Sequence, residues 1–150
     1  FKLDAEKYNK ATFYRAIMEN AAFVTRGNIE LVSDITNTYP DTIIFAGGAS
    51  NSDLWCQIVS DVLNKPVKVP IVKESTALGA AICAGIGANV YDSFQDAISK
   101  VVKIEKEYQP IQENHLIYSR LYEKWESVYL HQLNLADKGL TEHMWSSPGV

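Results

Sequence analysis

Gly47 and Gly48, followed by Asn51, Ser52 and Asp53, are the residues of this chain best suited by kind and position to an anionic ligand or a nucleotide. The β-branched run Thr42-Ile43-Ile44-Phe45 leads to the two glycines, and apolar residues at helical spacing begin a few positions later. Glycine has no Cβ, so two in series allow positive φ and let a ligand approach the backbone. The next helix start offers unpaired N–H groups and the positive end of a dipole. A strand–Gly-Gly–helix junction is therefore a candidate phosphate or nucleotide site. Local physics alone gives equal weight to a tight turn that binds nothing. Asn51, Ser52 and Asp53 are also residues that cap helices, and capping is the expected role of each, with a ligand contact in addition.

Other chemical residue types carry less. Glu74 precedes a Gly/Ala-rich helix and reads as an acid complementing the helix dipole, worth about 0.3–1 kcal/mol; a place near an active-site cleft is the alternative. Gly79 is expected to serve close packing. Gly85-Ile86-Gly87 closes a helix instead of opening one after a strand, and the third glycine of a dinucleotide fingerprint is missing. No G-x-x-x-x-G-K-[ST] phosphate loop occurs. His115, His131 and His143 lack metal-ligand spacing with one another or with Cys56 and Cys83. No metal site is expected from them, and surface or capping roles are. Tyr122, Trp125 and Tyr129 recur at three- and four-residue spacing and read as a packing face rather than a platform for stacked bases.

Bulk properties bound the setting. The chain has 150 residues, 47% of them apolar, enough for one compact domain with a real core. A net charge of −4 argues against a nucleic-acid surface. No apolar run approaches the roughly 20 residues of a membrane helix, so no membrane partner is expected. Cys56 and Cys83 stand apart in segments that read as buried helix, which favours reduced thiols and a cytoplasmic setting.

Periodicity and punctuation give the elements around the glycine pair. Leu3 begins a short strand remnant, and Asp4 reads as a cap for the helix after it. From about Lys10 to Thr38, Ile17, Ala21, Val24, Leu31 and Ile35 recur at helical spacing. Gly27 interrupts them at a cost of about 1 kcal/mol relative to Ala, and marks either a break or a close contact. Tyr39-Pro40 ends the segment. A strand over Thr42–Phe45 and a helix from Asp53 to Leu63 come next, with Trp55, Ile58, Val59 and Val62 facing the core. Asn64-Lys65-Pro66 is a turn. Val67, Val69 and Ile71 alternate with polar or proline neighbours, as a strand near a sheet edge does. Ser75 or Thr76 caps a helix from about Ala77 to Ala88. Then come a helix near Ser93–Lys100, an extended piece over Val101–Glu105, and a helix from about Gln112 to Asn134. Alternating strands and helices place the chain in the α/β class.

Three blocks in this order resemble the carboxyl-terminal domain of the FGGY carbohydrate kinases: the helical start at Asn9-Lys10-Ala11-Thr12 through Glu19-Asn20-Ala21-Ala22, the Phe45-Ala46-Gly47-Gly48 turn, and Val69-Pro70-Ile71-Val72-Lys73-Glu74 with its Gly/Ala helix. Tyr108-Gln109-Pro110 before a Tyr/Trp-rich helix and the tail Leu135-Ala136-Asp137-Lys138-Gly139-Leu140-Thr141, with Trp145 and Pro148-Gly149, extend the likeness. Details of these blocks narrow it to a branch acting on a small open-chain sugar-like signal.

The resemblance implies an actin-like (ribonuclease H-like) α/β ATPase fold, with ATP and Mg²⁺ as cofactors. Gly47 and Gly48 would form the adenosine-binding turn. Asn51 and Ser52 would lie beside it, with Ser52 standing where some members of the family carry Asn. The family's base, an Asp, comes from an amino-terminal domain that matches nothing in this chain. Since the sequence starts at Phe1 and is too short for two such domains, the expectation is a fragment, residues 1–150 being the nucleotide-binding half. Its sheet would be incomplete, its own amino-terminal domain its partner, and oligomers are left open. ATP or ADP and, in the intact enzyme, a sugar-like substrate are the expected ligands. A pentulose, hexulose or glycerol kinase, and a non-catalytic actin-like module that senses nucleotide or binds a partner, stand as alternatives.

Overall fold

The structure is a computed structural model that describes Asp4 and residues 8–141; Leu3, His143, Trp145 and Pro148-Gly149 lie outside the described residues. Helix α1 (Lys10–Thr36) starts at an Asn9 cap, whose Oδ1 accepts the Thr12 N–H at 3.2 Å. The cap is thus Asn9 and not Asp4, because Asn9 directly precedes the first turn. The helix ends at Asn37 in the left-handed region, φ 51°. Next come β1 (Ile43–Ile44), a 3₁₀ turn (Gly48–Asn51), α2 (Asp53–Leu63) and β2 (Val67–Pro70). Helices α3 (Ser75–Gly87) and α4 (Phe94–Val101), strand β3 (Ile104–Tyr108) and helix α5 (Gln112–Asp137) complete the described chain.

The sheet runs β1-β2-β3, with β1 parallel and β3 antiparallel to β2. Ile43 and Tyr108 flank Val67 on either side. The strand expected near an edge is therefore the central one. Its proline is what suggests an edge. Pro70 stands at the end of β2, where the register against β3 shifts between Val69 and Pro70, so its missing N–H falls at a bulge. Val67 and Val69 are wholly buried, as a central strand requires. The extended piece expected over Val101–Glu105 lies further on: Val101 completes α4, and β3 continues to Tyr108 in register with β2. Among the described residues no strand lies beyond β1, so the sheet is open there.

Helix α2 packs on α1, on α5 and on the sheet. Ala22 and Phe23 from α1 meet Ile58, Val59 and Val62 from α2, Val67 from β2, and Tyr118 and Tyr122 from α5. The Phe23 ring lies 6.1 Å from Tyr118 and 5.8 Å from both Tyr122 and Trp125. Trp125 stacks on Tyr122 at 5.8 Å and on Tyr129 at 5.2 Å, which makes the α5 ladder a packing face as its spacing implies. Gly27 does not break α1. It marks the close contact, beneath the Tyr122 hydroxyl.

The expectations for Cys83 and Gly79 fail, and the exposed stripe of α1 shows the same cause. Ile17, Val24, Leu31 and Ile35 are exposed, while the neighbouring stripe through Ala22 and Phe23 is buried. Cys83 is exposed rather than buried, and a Cβ on Gly79 would meet open space, not a packed neighbour. A helix with two apolar faces shows in sequence that both are apolar, and not which one its own chain covers. Helix α3 also begins earlier than expected. Glu74 occupies its cap position without a side-chain cap bond, and Ser75 and Thr76 already lie inside the helix.

Candidate nucleotide site at the glycine turn

The glycine turn is built at the carboxyl end of β1. The Phe45 N–H donates to Lys68 O at 2.9 Å, which carries the β1–β2 ladder up to the glycines. Gly47 then adopts φ 84°, ψ −176°, where an L side chain is strained. Its N–H donates to the Lys73 carbonyl at 2.8 Å, fastening the turn to the segment that leads into α3. The Gly47 carbonyl accepts from the Ser50 N–H at 3.1 Å and from Ser50 Oγ at 2.7 Å. These bonds close the 3₁₀ turn. Apart from the adjoining residues of the chain, no atom of the described residues lies within 4 Å of a Cβ built on Gly47 or Gly48. Neither the Gly48 nor the Ala49 N–H has an acceptor among the described residues. The result is a bare backbone ledge with two free donors at its lip.

Of the residues singled out from sequence, Gly47, Gly48, Asn51 and Ser52 lie in this one turn or cap it. Asn51 donates through Nδ2 to Gly48 O at 3.1 Å and accepts at Oδ1 from Lys73 Nζ at 2.8 Å. Asn51 therefore braces the turn instead of capping α2. Ser52 is the cap: its Oγ accepts the Trp55 N–H at 3.3 Å. Asp53 caps nothing and reaches sideways to β3. Its Oδ1 accepts from Lys106 Nζ at 2.7 Å and from Tyr108 Oη at 2.6 Å. The hydrogen bond from Lys106, with the one from Tyr108, holds the Asp53 carboxyl below the usual carboxylate range. The same bond to Asp53 helps push the Tyr108 phenol up to about 12. Behind the turn, Cys56 is buried, its Sγ 3.5 Å from Ser50 O, and burial pushes its thiol up.

Lys73 is the site residue that motif reading passed over. It stands 22 residues from Asn51, beyond α2 and β2, so only the parallel β1–β2 pairing brings it alongside. A lysine followed by Glu74, Ser75 and Thr76 gives no local signal of that role. Its ammonium also pairs with Glu105 of β3 at 3.2 Å. Glu74 itself makes no side-chain cap bond and stays exposed at the head of α3.

The histidines are not brought together. His115 Nδ1 lies 3.0 Å from Asp61 O and its Nε2 3.3 Å from Ser119 Oγ, while exposed His131 reaches Ser127 O of its own helix. A hollow of about 220 Å³, lined in part by Arg26, Ile43, Lys65 and His115, lies at the opposite end of β1. No helix among the described residues is long and apolar enough to cross a membrane.

The FGGY family of carbohydrate kinases, carboxyl-terminal domain, matches residues 3–88, the stretch that contains the glycine turn and the Lys73 segment fastened to it. The chain belongs to the FGGY family of carbohydrate kinases. This FGGY chain is 47% identical over 148 residues to an autoinducer-2 kinase of Photorhabdus laumondii, and 44% identical over 148 residues to one of Escherichia coli K12. Each alignment takes in 99% of this chain and 28% of the relative, so the chain spans under a third of the proteins it matches. Among solved structures, the xylulose kinase of Rhodospirillum rubrum superposes on 90% of this chain with a TM-score of 0.74 at 25% identity, through 27% of its own length. The fold is an α/β fold that matches the carboxyl-terminal region of actin-like kinases, with an open sheet.

Proposed function

We propose that residues 1–150 are the nucleotide-binding, carboxyl-terminal domain of a two-domain kinase that moves the γ-phosphate of ATP to a hydroxyl of autoinducer-2, a small open-chain sugar-like signal. The observation that carries the nucleotide reading is the ledge at Gly47 and Gly48, where no side chain stands between backbone and ligand. The 47% identity to an autoinducer-2 kinase supports the choice of phosphoryl acceptor.

ATP supplies the phosphoryl group, and the residues here supply position. The ledge takes the adenosine side, the Gly48 and Ala49 N–H groups offer donors to it, Asn51 braces the turn, and Ser52 sets the start of α2 beside it. The described residues contain no cluster of three or more His, Cys, Asp or Glu that could hold a metal ion. Mg²⁺ would be held mainly through the nucleotide and the amino-terminal domain. That domain would also bring the Asp that takes the proton of the attacking hydroxyl, a group phosphoryl transfer requires. Closure of the two domains would exclude water that otherwise hydrolyses ATP. A cytoplasmic enzyme would then trap the charged ester inside the cell.

The test is a phosphorylation assay of the intact protein with Mg-ATP and a panel of autoinducer-2, xylulose, gluconate and glycerol. Autoinducer-2 is expected to give the highest kcat/KM, and residues 1–150 alone are expected to transfer nothing. A preference for xylulose would move the protein to a sugar-catabolic branch of the family. Saturable ATP binding with no acceptor phosphorylated would leave a nucleotide-sensing module in place of a kinase.

A further inference from the structure

We propose that Lys73 is a positioning residue that fixes the nucleotide-binding shape of the glycine turn, an inference that rests on the nucleotide reading of that turn. Lys73 holds the turn twice. Its carbonyl takes the Gly47 N–H at 2.8 Å, and its ammonium donates to Asn51 Oδ1 at 2.8 Å. An ammonium has donors and no acceptor, so it dictates the amide orientation: Oδ1 faces Lys73, and Nδ2 is left to donate to Gly48 O at 3.1 Å. Glu105 on β3 steadies the ammonium from the other side at 3.2 Å. A relay thus runs from the sheet through Glu105, Lys73 and Asn51 to the carbonyl of Gly48. With that carbonyl held inward, the Gly48–Ala49 peptide keeps its N–H turned away from the turn, without an acceptor of its own.

The two bonds separate cleanly under mutation. Any residue at 73 keeps the main-chain bond to Gly47, so replacing the side chain spares the anchor of the fold. What it removes is the lock on the Asn51 amide. Once unlocked, the amide rotates, Gly48 O loses its donor, and the peptide bearing the ligand-facing N–H turns freely. The cost falls on ordering the turn when nucleotide binds, which appears in ATP affinity and not in the chemical step.

The experiment is steady-state kinetics on the intact protein with ATP and acceptor varied separately, joined to calorimetric titration of ADP. Lys73→Met is expected to raise the ATP KM and the ADP Kd about tenfold, the effect of losing one charge-assisted hydrogen bond. The kcat and the acceptor KM are expected to stay within about twofold. Lys73→Arg, which keeps a cationic donor, restores most of the loss. Glu105→Gln, which loosens the ammonium without touching the α3 lead-in, gives a smaller rise in the same constants, so misfolding of one variant does not shield the idea. An ATP KM unchanged in both Lys73→Met and Glu105→Gln overturns it, as does a fall in kcat that tracks a lowered melting midpoint. Gly48→Val is the arm that separates the two readings: if it abolishes ADP binding while Lys73→Met does not weaken it, the nucleotide site stands and the Lys73 inference falls. If the wild type binds no nucleotide, both fall.

Discussion

A Cβ built on Gly27 of α1 would lie 3.1 Å from the hydroxyl oxygen of Tyr122 on α5. That hydroxyl is not free to retreat. It donates to Glu30 Oε2 at 3.1 Å, and the guanidinium of Arg26 covers its ring at 4.1 Å. Glycine inside a helix ordinarily costs about 1 kcal/mol relative to alanine, so Gly27→Ala would stabilise an isolated helix. Here the tight contact reverses the sign, and Gly27→Ala is expected to destabilise the domain by about 0.5–1 kcal/mol. Removing the hydroxyl with Tyr122→Phe relieves the contact, so Gly27→Ala on that background becomes neutral or stabilising. A double-mutant cycle in urea midpoints checks this; additive effects would show that the contact carries no weight.

Asp61 is a buried carboxylate that ties α2 to the start of α5. It accepts from the Ile111 N–H, Asn114 Nδ2 and Gln57 Nε2, each at 2.8 Å, and is 2% exposed. Asp61→Ala leaves the Ile111 N–H and Asn114 Nδ2 without an acceptor, while Gln57 Nε2 keeps Gln109 O at 2.9 Å, and is expected to cost about 3 kcal/mol. Asp61→Asn keeps the volume but turns one acceptor into a donor facing another donor, and is expected to lose about 2 kcal/mol. Thermal melts of both variants, with the hydrogen exchange of the first turn of α5, measure the loss and its place.

Gly48 has room to its outer side and no positive φ, so a side chain there meets solvent instead of protein. Gly48→Val is expected to leave stability within about 0.5 kcal/mol of wild type. The same side chain fills the ledge, so ATP and ADP binding should fall at least about tenfold, the loss that a poorly accommodated methyl-sized group produces. Gly47→Ala behaves differently, because its φ of 84° strains any L residue and stability is lost with binding. Calorimetry with both nucleotides on the intact protein, beside thermal melts, separates the two glycines.

Alkaline pH should weaken the fold through three tyrosines. Burial pushes Tyr118 and Tyr122 up to about 12, and the hydrogen bond to Asp53 does the same for Tyr108. In the unfolded chain a phenol titrates near about 10. Between these values the unfolded state holds fewer protons than the native state, so stability is complete below about pH 10 and is lost as pH rises toward about 12. Tyr118→Phe should flatten the slope of urea midpoint against pH in that window. Asp53 works in the opposite sense: its lowered value makes its contribution present above about pH 4 and lost as pH falls further. Absorbance of the phenolates against pH checks the tyrosines directly.

The local elements and the glycine turn were legible in the sequence because their causes are local. Two glycines after a β-branched run, a serine at the head of an amphipathic helix and Asn64-Lys65-Pro66 after it act on the few residues beside them. Ser52 caps α2 as its type and position imply, and Tyr122, Trp125 and Tyr129 pack as their spacing implies. Pro70 misled because a missing N–H is compatible with an edge strand or with a bulge on a central one, and only the pairing with β3 says which.

Propensity, capping and the absence of a Cβ were enough to set the α/β class, the helix capped by Ser52 and the bare ledge at Gly47 and Gly48, all of them readable from the amino-acid sequence. It took the tertiary arrangement to make β2 central, to turn Phe23 and not Ile17 to the core, and to stand Lys73 and Glu105 beside Asn51. Those depend on contacts between residues far apart in the chain. Such contacts are set by which strands pair and which helix faces meet, and no local pattern in the sequence encodes them.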